Sequence, residues 1–344
     1  MIRFESDYSE GAHQRILDML VETNMEQTAG YGVDYHCDNA RKYIKDYCKD
    51  DKLDVHFLVG GTQANTTVIA SILKPYQGVV SANTGHINVH ETGAIEATGH
   101  RVISVDSEDG KLTAVQISEV YDNHWNDATH EHMVQPGMVY ISHPTENGTI
   151  YSKKDLEEIS QVCNELGLPL FMDGARMGYG LMADGNDLSL PEIARLCDVF
   201  YIGGTKVGAL FGEAVVIRTE ALKKDFRYNI KQRGGMLAKG RLLGIQFEAL
   251  FQDGLYFEIS KNAIQMAMKI RDAFREKGCE FLYDSPTNQQ FPILTHNQIE
   301  KLAQNYSFQH WTKVDGNKDA VRFCTSWVTE ETNVDKLVDD IKKL

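Results

Sequence analysis

Four short stretches of the 344-residue chain hold residue types whose spacing suits catalysis. In Tyr201-Ile202-Gly203-Gly204-Thr205-Lys206-Val207-Gly208, a lysine follows an apolar run, and flanking glycines keep its surroundings open. An amine desolvated at such a place loses basicity and becomes a nucleophile toward carbonyls. In Phe171-Met172-Asp173-Gly174-Ala175-Arg176, an acid follows an apolar run directly, and a carboxylate buried there needs a cationic partner. In Val59-Gly60-Gly61-Thr62-Gln63-Ala64-Asn65, two glycines permit a sharp turn into a helix whose free N–H groups suit a phosphate. In Ala320-Val321-Arg322-Phe323-Cys324-Thr325-Ser326, an arginine lies inside an apolar strand, where its fork calls for an anion such as a substrate carboxylate. Singly, these read equally as a surface lysine, an N-cap aspartate, a glycine-rich turn and a structural ion pair. Jointly, a Schiff-base lysine, an acid for a pyridinium nitrogen, a phosphate cradle and a carboxylate clamp are what pyridoxal phosphate requires.

Such residues need a frame that brings them together. From Asp54 onward, apolar runs alternate with helix-like patterns: Val55 to Val59, then Gln63 to Leu73; Arg101 to Val105, then Ala114 to Asn123. The series continues with Met138 to Ser142, Lys153 to Leu166, Pro169 to Met172, Leu190 to Leu196, Val199 to Ile202 and Ala214 to Ile217. Near-continuous apolar strands between helices predict an α/β fold whose sheet is covered on both faces. In such sheets ligands lie at the carboxyl ends of the strands, where three of the four stretches fall. After about Ala238 the rhythm changes to long helical patterns, Leu242 to Phe251 and Ile259 to Lys277. Strand-like Gln290 to Leu294 and Ala320 to Cys324 follow, then a terminal helix Val334 to Leu344. This predicts a large cofactor-binding domain over 1–240 and a small α+β domain over 241–344. No repeat or Pro-rich linker separates them, so they are expected to share a long helix.

The residues now assembled resemble the low-specificity L-threonine aldolases of the β-eliminating lyase group, which have the aspartate-aminotransferase-like fold type I. Order and spacing agree across essentially the whole chain, from Ser6-Asp7 through Gly61-Thr62-Gln63-Ala64-Asn65, His86, Glu91-Thr92-Gly93-Ala94, Asp173-Gly174-Ala175-Arg176 and Thr205-Lys206 to Arg322. The resemblance implies a large, mostly parallel seven-stranded sheet and a lyase that splits an L-β-hydroxy-α-amino acid into glycine and an aldehyde. Threonine, allo-threonine and phenylserine types are the substrates implied. By the same resemblance Lys206 carries the cofactor, Asp173 pairs with its pyridine nitrogen, and Gly61, Thr62, Gln63 and Thr205 help to hold it. His86 stacks on its ring, while Ser6, Arg176 and Arg322 contact the substrate carboxylate, Arg176 lying beside the cofactor as well. A homodimer or homotetramer is expected, with sites completed by neighbouring chains and Tyr31 a candidate contributor.

Two departures from the family's pattern stand out. Its Glu-Asn-Thr-His-Asn stretch is replaced by His143-Pro144-Thr145-Glu146-Asn147-Gly148, which puts Glu146 where a histidine often sits near the substrate hydroxyl. The segment that usually carries an arginine reads Arg233-Gly234-Gly235-Met236-Leu237-Ala238-Lys239, so Lys239 is expected to take over a phosphate contact, as in the phenylserine aldolase branch. His86, Glu146 and His143 all remain candidates for the base that takes the β-hydroxyl proton.

Composition bounds the partners. A net charge of -14 and a pI near 5.3 disfavour nucleic acid and anionic membranes, which attract basic surfaces. No apolar leader and no spanning stretch are visible, and six scattered cysteines suggest reduced thiols, so a cytoplasmic protein acting on a small amino acid is expected. His86 and His90 stand four apart, but no further clustered ligand joins them, and no metal site is expected. A β-eliminating lyase acting on an aromatic amino acid, an aminotransferase of the same fold and a non-catalytic cofactor-binding regulator are the competing readings.

Overall fold

The computed structural model describes residues 1–344. Its first eight strands are β1 (Ile2–Arg3), β2 (Asp54–Leu58), β3 (Gln77–Ala82), β4 (Arg101–Val105), β5 (Gln135–Ser142), β6 (Leu170–Asp173), β7 (Val199–Gly203) and β8 (Glu213–Ile217). Seven of them form one sheet in the spatial order β2-β8-β7-β6-β5-β3-β4. The pairings among β3 to β7 are parallel, and β8 runs antiparallel to both β2 and β7. This is the expected α/β architecture with its mostly parallel seven-stranded sheet.

The central strands read as unbroken apolar runs because helices cover both faces. Successive side chains alternate between two cores. Val139, Ile141, Leu170, Met172, Phe200 and Ile202 enter the larger core, while Met138, Tyr140, Phe171, Val199 and Tyr201 enter the smaller. The same alternation aims Tyr140, Asp173 and Tyr201 to one side at the carboxyl ends, so packing also positions the site. Truncating Phe171, fully buried in the smaller core, to alanine is expected to cost about 3–5 kcal/mol.

Helix boundaries follow local signals. Lys153–Leu166 begins with a capping box between Ser152 and Asp155 and ends at left-handed Gly167, so sequence and structure agree at both ends. Leu190–Leu196 starts from a similar box, Ser189 with Glu192. The sequence reading passes over β3, whose short Gly-Val-Val-Ser run is nonetheless internal to the sheet. It also passes over the helices Gln14–Glu22 and Tyr35–Cys48 that precede the alternating series.

Beyond the sheet, helix Leu255–Glu276 ties the two units together. Leu255, Tyr256, Ile259, Ala263 and Ala267 lie in the larger core, whereas Met266, Ile270, Ala273 and Phe274 lie in a third, separate core. That third core takes residues from β10 (Ile293–Thr295), β11 (Tyr306–Ser307), β13 (Lys318–Cys324) and the helix Glu331–Lys342, with β9 (Gln289–Gln290) and β12 (Gln309–Lys313) paired to β13. The single run expected over Gln290 to Leu294 is split at Phe291-Pro292, where proline has no N–H to give the ladder. The N-terminal segment, which the 1–240 grouping puts with the large unit, pairs with the small one. β1 lies parallel to β11, and the Cys324 N–H donates to the Phe4 carbonyl at 2.8 Å. No helix is long and apolar enough to cross a membrane.

Candidate active site

The carboxyl ends of β2, β3, β5, β6 and β7 surround a cavity of about 260 Å³. Gly61, Thr62, His86, Glu146, Asp173 and Lys206 line it, with Arg176 and Thr205 at its wall. A larger open groove between Glu108 and Tyr283 holds none of these residues.

Asp173 ends β6 and receives four donors. The Tyr140 hydroxyl reaches Oδ2 at 2.6 Å, the Asn65 amide reaches the same oxygen at 3.2 Å, the Ala175 N–H reaches Oδ1 at 2.9 Å, and the Tyr201 hydroxyl also donates to Oδ1. Burial and the neighbouring Asp173 charge push both phenols well above the ordinary tyrosine range, so they remain donors. The Asn65 amide nitrogen also donates to Glu91 Oε1 at 2.7 Å, and the His86 Nδ1 bonds that oxygen at 2.8 Å. One amide thus joins the acid under the cavity to the histidine at its side. Burial, the largest influence on His86, opposes its charge, but the Glu91 bond and the Asp173 charge outweigh burial and raise its basicity.

Glu146 is held at one oxygen only. Its Oε1 accepts the Ser142 hydroxyl at 2.8 Å and the His86 backbone N–H at 3.0 Å. Burial and then the Asp173 charge raise its pKa above the usual carboxylate range. His143, by contrast, is fully buried and does not line the cavity, and its Nδ1 accepts the Tyr151 N–H at 3.4 Å.

Lys206 follows β7, and burial with the nearby Arg176 charge lowers its pKa. Arg176 donates to Asp7 through Nε at 2.7 Å and Nη2 at 3.0 Å. Asn288 donates to Asp7 as well, at 2.9 Å. Burial would raise Asp7, yet the Arg176 and Lys206 charges and these bonds bring it down to about 2. One edge of the Arg176 fork is therefore engaged within the chain.

The remaining residues singled out by sequence lie variously. Helix Gly61–Ile72 starts at Gly60 with no side-chain cap, which leaves its first N–H groups for an anion. At Gly61, a Cβ would stand 3.1 Å from the Tyr201 hydroxyl, so a side chain there would crowd the cradle. Gln63 is tied to backbone, accepting the Val59 N–H at 3.1 Å and donating to the Arg233 carbonyl at 3.0 Å. Thr205 donates to Glu213 at 2.9 Å. Arg322 is buried in β13, with Nη1 on the Gln289 amide oxygen at 2.8 Å and Nη2 on the Glu5 carbonyl at 3.1 Å, so neither partner neutralises it. Ser6 faces Ser9 at 2.9 Å, and neither Ser6 nor Arg322 lines the cavity itself. Tyr31, left-handed at φ 61°, and Lys239 lie elsewhere, where the Tyr31 N–H bonds the Ala238 carbonyl.

Asp7, Asn65, Glu91, Tyr140, Tyr201 and Glu213 are site residues to which sequence reasoning gave no role. For the tyrosines a signal existed, since each precedes a strand's end by two residues, in phase with the side that Asp173 faces. The donors and acceptors present fit pyridoxal phosphate: an uncapped helix start for its phosphate, a multiply bonded carboxylate for its ring nitrogen, and a desolvated lysine in the same cavity.

Comparison with known proteins agrees. The model of the β-eliminating lyase family matches residues 4–302. A low-specificity L-threonine aldolase from Pseudomonas sp. (strain NCIMB 10558) is 30% identical over 99% of this chain and 97% of its own length. The structure of Leishmania major threonine aldolase superposes with a TM-score of 0.97 at 44% identity, covering 100% of this chain and 99% of that one. Thermus thermophilus aspartate aminotransferase shares the fold alone, with a TM-score of 0.72 and 12% identity over 100% of this chain and 92% of its own. The chain accordingly belongs to the β-eliminating lyase family, among the pyridoxal-phosphate enzymes of the threonine aldolase group.

Proposed function

We propose that the protein cleaves the Cα–Cβ bond of an L-β-hydroxy-α-amino acid of threonine, allo-threonine or phenylserine type, releasing glycine and an aldehyde. One observation carries this reading: Lys206, Asp173 and the uncapped helix start share a cavity with Glu146, a carboxylate with no cationic partner. Bound there, pyridoxal phosphate supplies an electron-withdrawing ring that accepts the electron pair left at Cα.

The chain's own residues divide the remaining work. Lys206 holds the cofactor, and Asp173 keeps a proton on the ring nitrogen. His86, steadied by Glu91, would hold the cofactor ring, and the Gly61–Thr62 backbone would hold its phosphate. Glu146, with Oε1 fixed by two donors, uses its other oxygen to accept the β-hydroxyl proton, directly or through water. Arg322, assisted by Ser6 and the free edge of Arg176, binds the substrate carboxylate. Holding that carboxylate would fix the substrate's orientation and so select which bond at Cα breaks.

Tyr31 and Lys239 reach a neighbouring chain's site in a homodimer or homotetramer. Exposed Val21, Met25, Val33 and Tyr35 in the segment around Tyr31 support such contacts. The partition at residue 240 and a cytoplasmic location belong to the same reading, the latter supported by six free cysteines.

The test is a panel of β-hydroxy amino acids supplied without any keto acid. Glycine and aldehyde in equal amounts are expected. Ammonia with pyruvate would identify a β-eliminating lyase, a need for keto acid would identify an aminotransferase, and cofactor binding without turnover would identify a regulator.

A further inference from the structure

Glu213 opens β8, the antiparallel neighbour of β7, and lines the cavity that holds Lys206. Its Oε1 accepts the Thr205 hydroxyl at 2.9 Å, while the oxygen of that hydroxyl accepts the Gly212 N–H at 3.0 Å. The Thr205 hydrogen is thereby directed at the carboxylate, which is held in one orientation. The second oxygen, Oε2, is buried without a partner. Such an oxygen costs free energy until a proton or a cation comes to it.

Asp7 and Asp173, the other acids whose charge reaches Lys206, are already engaged. Asp7 is locked to Arg176 by two bonds, and Asp173 receives four donors. His86 and His90 oppose a positive charge on Lys206 rather than attract one. Cys324 is a thiol that burial pushes up to about 12, and Tyr201 and Tyr256, which face Glu213, are kept un-ionised by burial. Of the three acids whose charge reaches Lys206, Asp7, Asp173 and Glu213, only Glu213 keeps a buried oxygen without a partner.

We propose that Glu213 is the counter-ion of the Lys206 nitrogen, a positioning residue that keeps this nitrogen protonated while it is joined to the cofactor's aldehyde carbon. The inference rests on Lys206 being the cofactor lysine. A proton on that nitrogen makes the adjoining carbon more electrophilic toward the substrate's amino group. Burial and the Arg176 charge act to remove the proton, and Asp7, Asp173 and Glu213 act to keep it. Burial pushes Glu213 itself up to about 8 even with the Thr205 bond and the Lys206 charge acting to lower it, so a lasting positive charge on the Lys206 nitrogen favours its anion.

The experiment is a pH titration of the visible absorbance of the cofactor-loaded, full-length protein, wild type against Glu213→Gln. Glutamine keeps the size of the side chain and an oxygen for Thr205. Loss of a nearby opposite charge is expected to lower the absorbance midpoint by about one pH unit or more, and Glu213→Asp is expected to restore part of the difference. An unmoved midpoint overturns the proposal. If Glu213→Gln does not fold, Thr205→Val takes its place, since it removes the hydrogen that orients the carboxylate. A smaller shift in the same direction is then expected, and no shift is again fatal. Borohydride reduction with peptide mapping separates the two ideas. Label on Lys206 with an unmoved midpoint defeats the counter-ion alone, whereas label absent from Lys206 removes the reading beneath it.

Discussion

On the large-sheet side of the site, Asp173 is gripped by four donors, and the bonds from Asn65 to Glu91 fix His86. On the small-unit side, Arg322 bonds only a neutral amide and a carbonyl, with its guanidinium 5.3 Å from the Trp311 ring centroid, and its Nε is buried without a hydrogen-bond partner. The first region holds its acid and histidine in place before any ligand arrives, as suits a resident cofactor whose orientation must not vary. The second keeps a buried cation short of an anion, as suits a substrate that enters and leaves with its carboxylate. Between them stands Glu146, the base in the proposed reaction, with one oxygen fixed and the other uncommitted.

Substitutions can break this contrast or sharpen it. The largest effect is expected from Glu146→Gln, which keeps the shape and removes the base: kcat should fall about 10²- to 10⁴-fold. Because the pKa of Glu146 is raised, activity in the wild type should climb with pH through a limb above the ordinary glutamate value of about 4.3, and the variant should lose that limb. A pH–rate profile unchanged by the substitution would assign the base elsewhere, with His86 next in line.

Arg322→Met should act on binding. A charge-assisted hydrogen bond is worth about 1.5–3 kcal/mol, so kcat/KM is expected to drop about 10- to 100-fold, chiefly through KM. The cofactor's visible absorbance should not change. Loss of the cofactor signal with substrate affinity intact would reverse the roles given to the two regions.

Asp7→Asn tests the buried pair where the regions meet. It leaves the Arg176 charge uncompensated, at an expected cost of about 3–5 kcal/mol in urea unfolding. The folded pKa of Asp7 lies below its unfolded value, so its stabilisation is present above about pH 4 and lost as pH falls toward 2. The shift from the ordinary value to about 2 corresponds to roughly 2 kcal/mol for this fully buried group. That share of the acid-side slope should vanish in the variant.

How far the sequence foretold all this follows the same division. The sheet was legible because β5, β6 and β7 are covered on both faces and therefore read as unbroken apolar runs. β3 was not, since Gly78 and Ser81 interrupt the apolar signal that its parallel neighbours stabilise. Lys206, Asp173 and Gly61 could be found because each lies just past a strand, where polar residues stand out. Asn65 and Glu91 could not be given roles, because the bonds that join them cross 26 residues of sequence, and those to Asp173 cross 108. Gln63 and Thr205 show the converse: the position was legible, but only the fold shows their polar atoms spent on Val59, Arg233 and Glu213.

The most direct measurement is borohydride reduction of the yellow, cofactor-loaded protein, followed by mass mapping of the labelled peptide. A single pyridoxyl group on Lys206, absent in Lys206→Ala along with all glycine release, is the expected result. Label on another lysine such as Lys239, or full turnover by Lys206→Ala, would contradict the account.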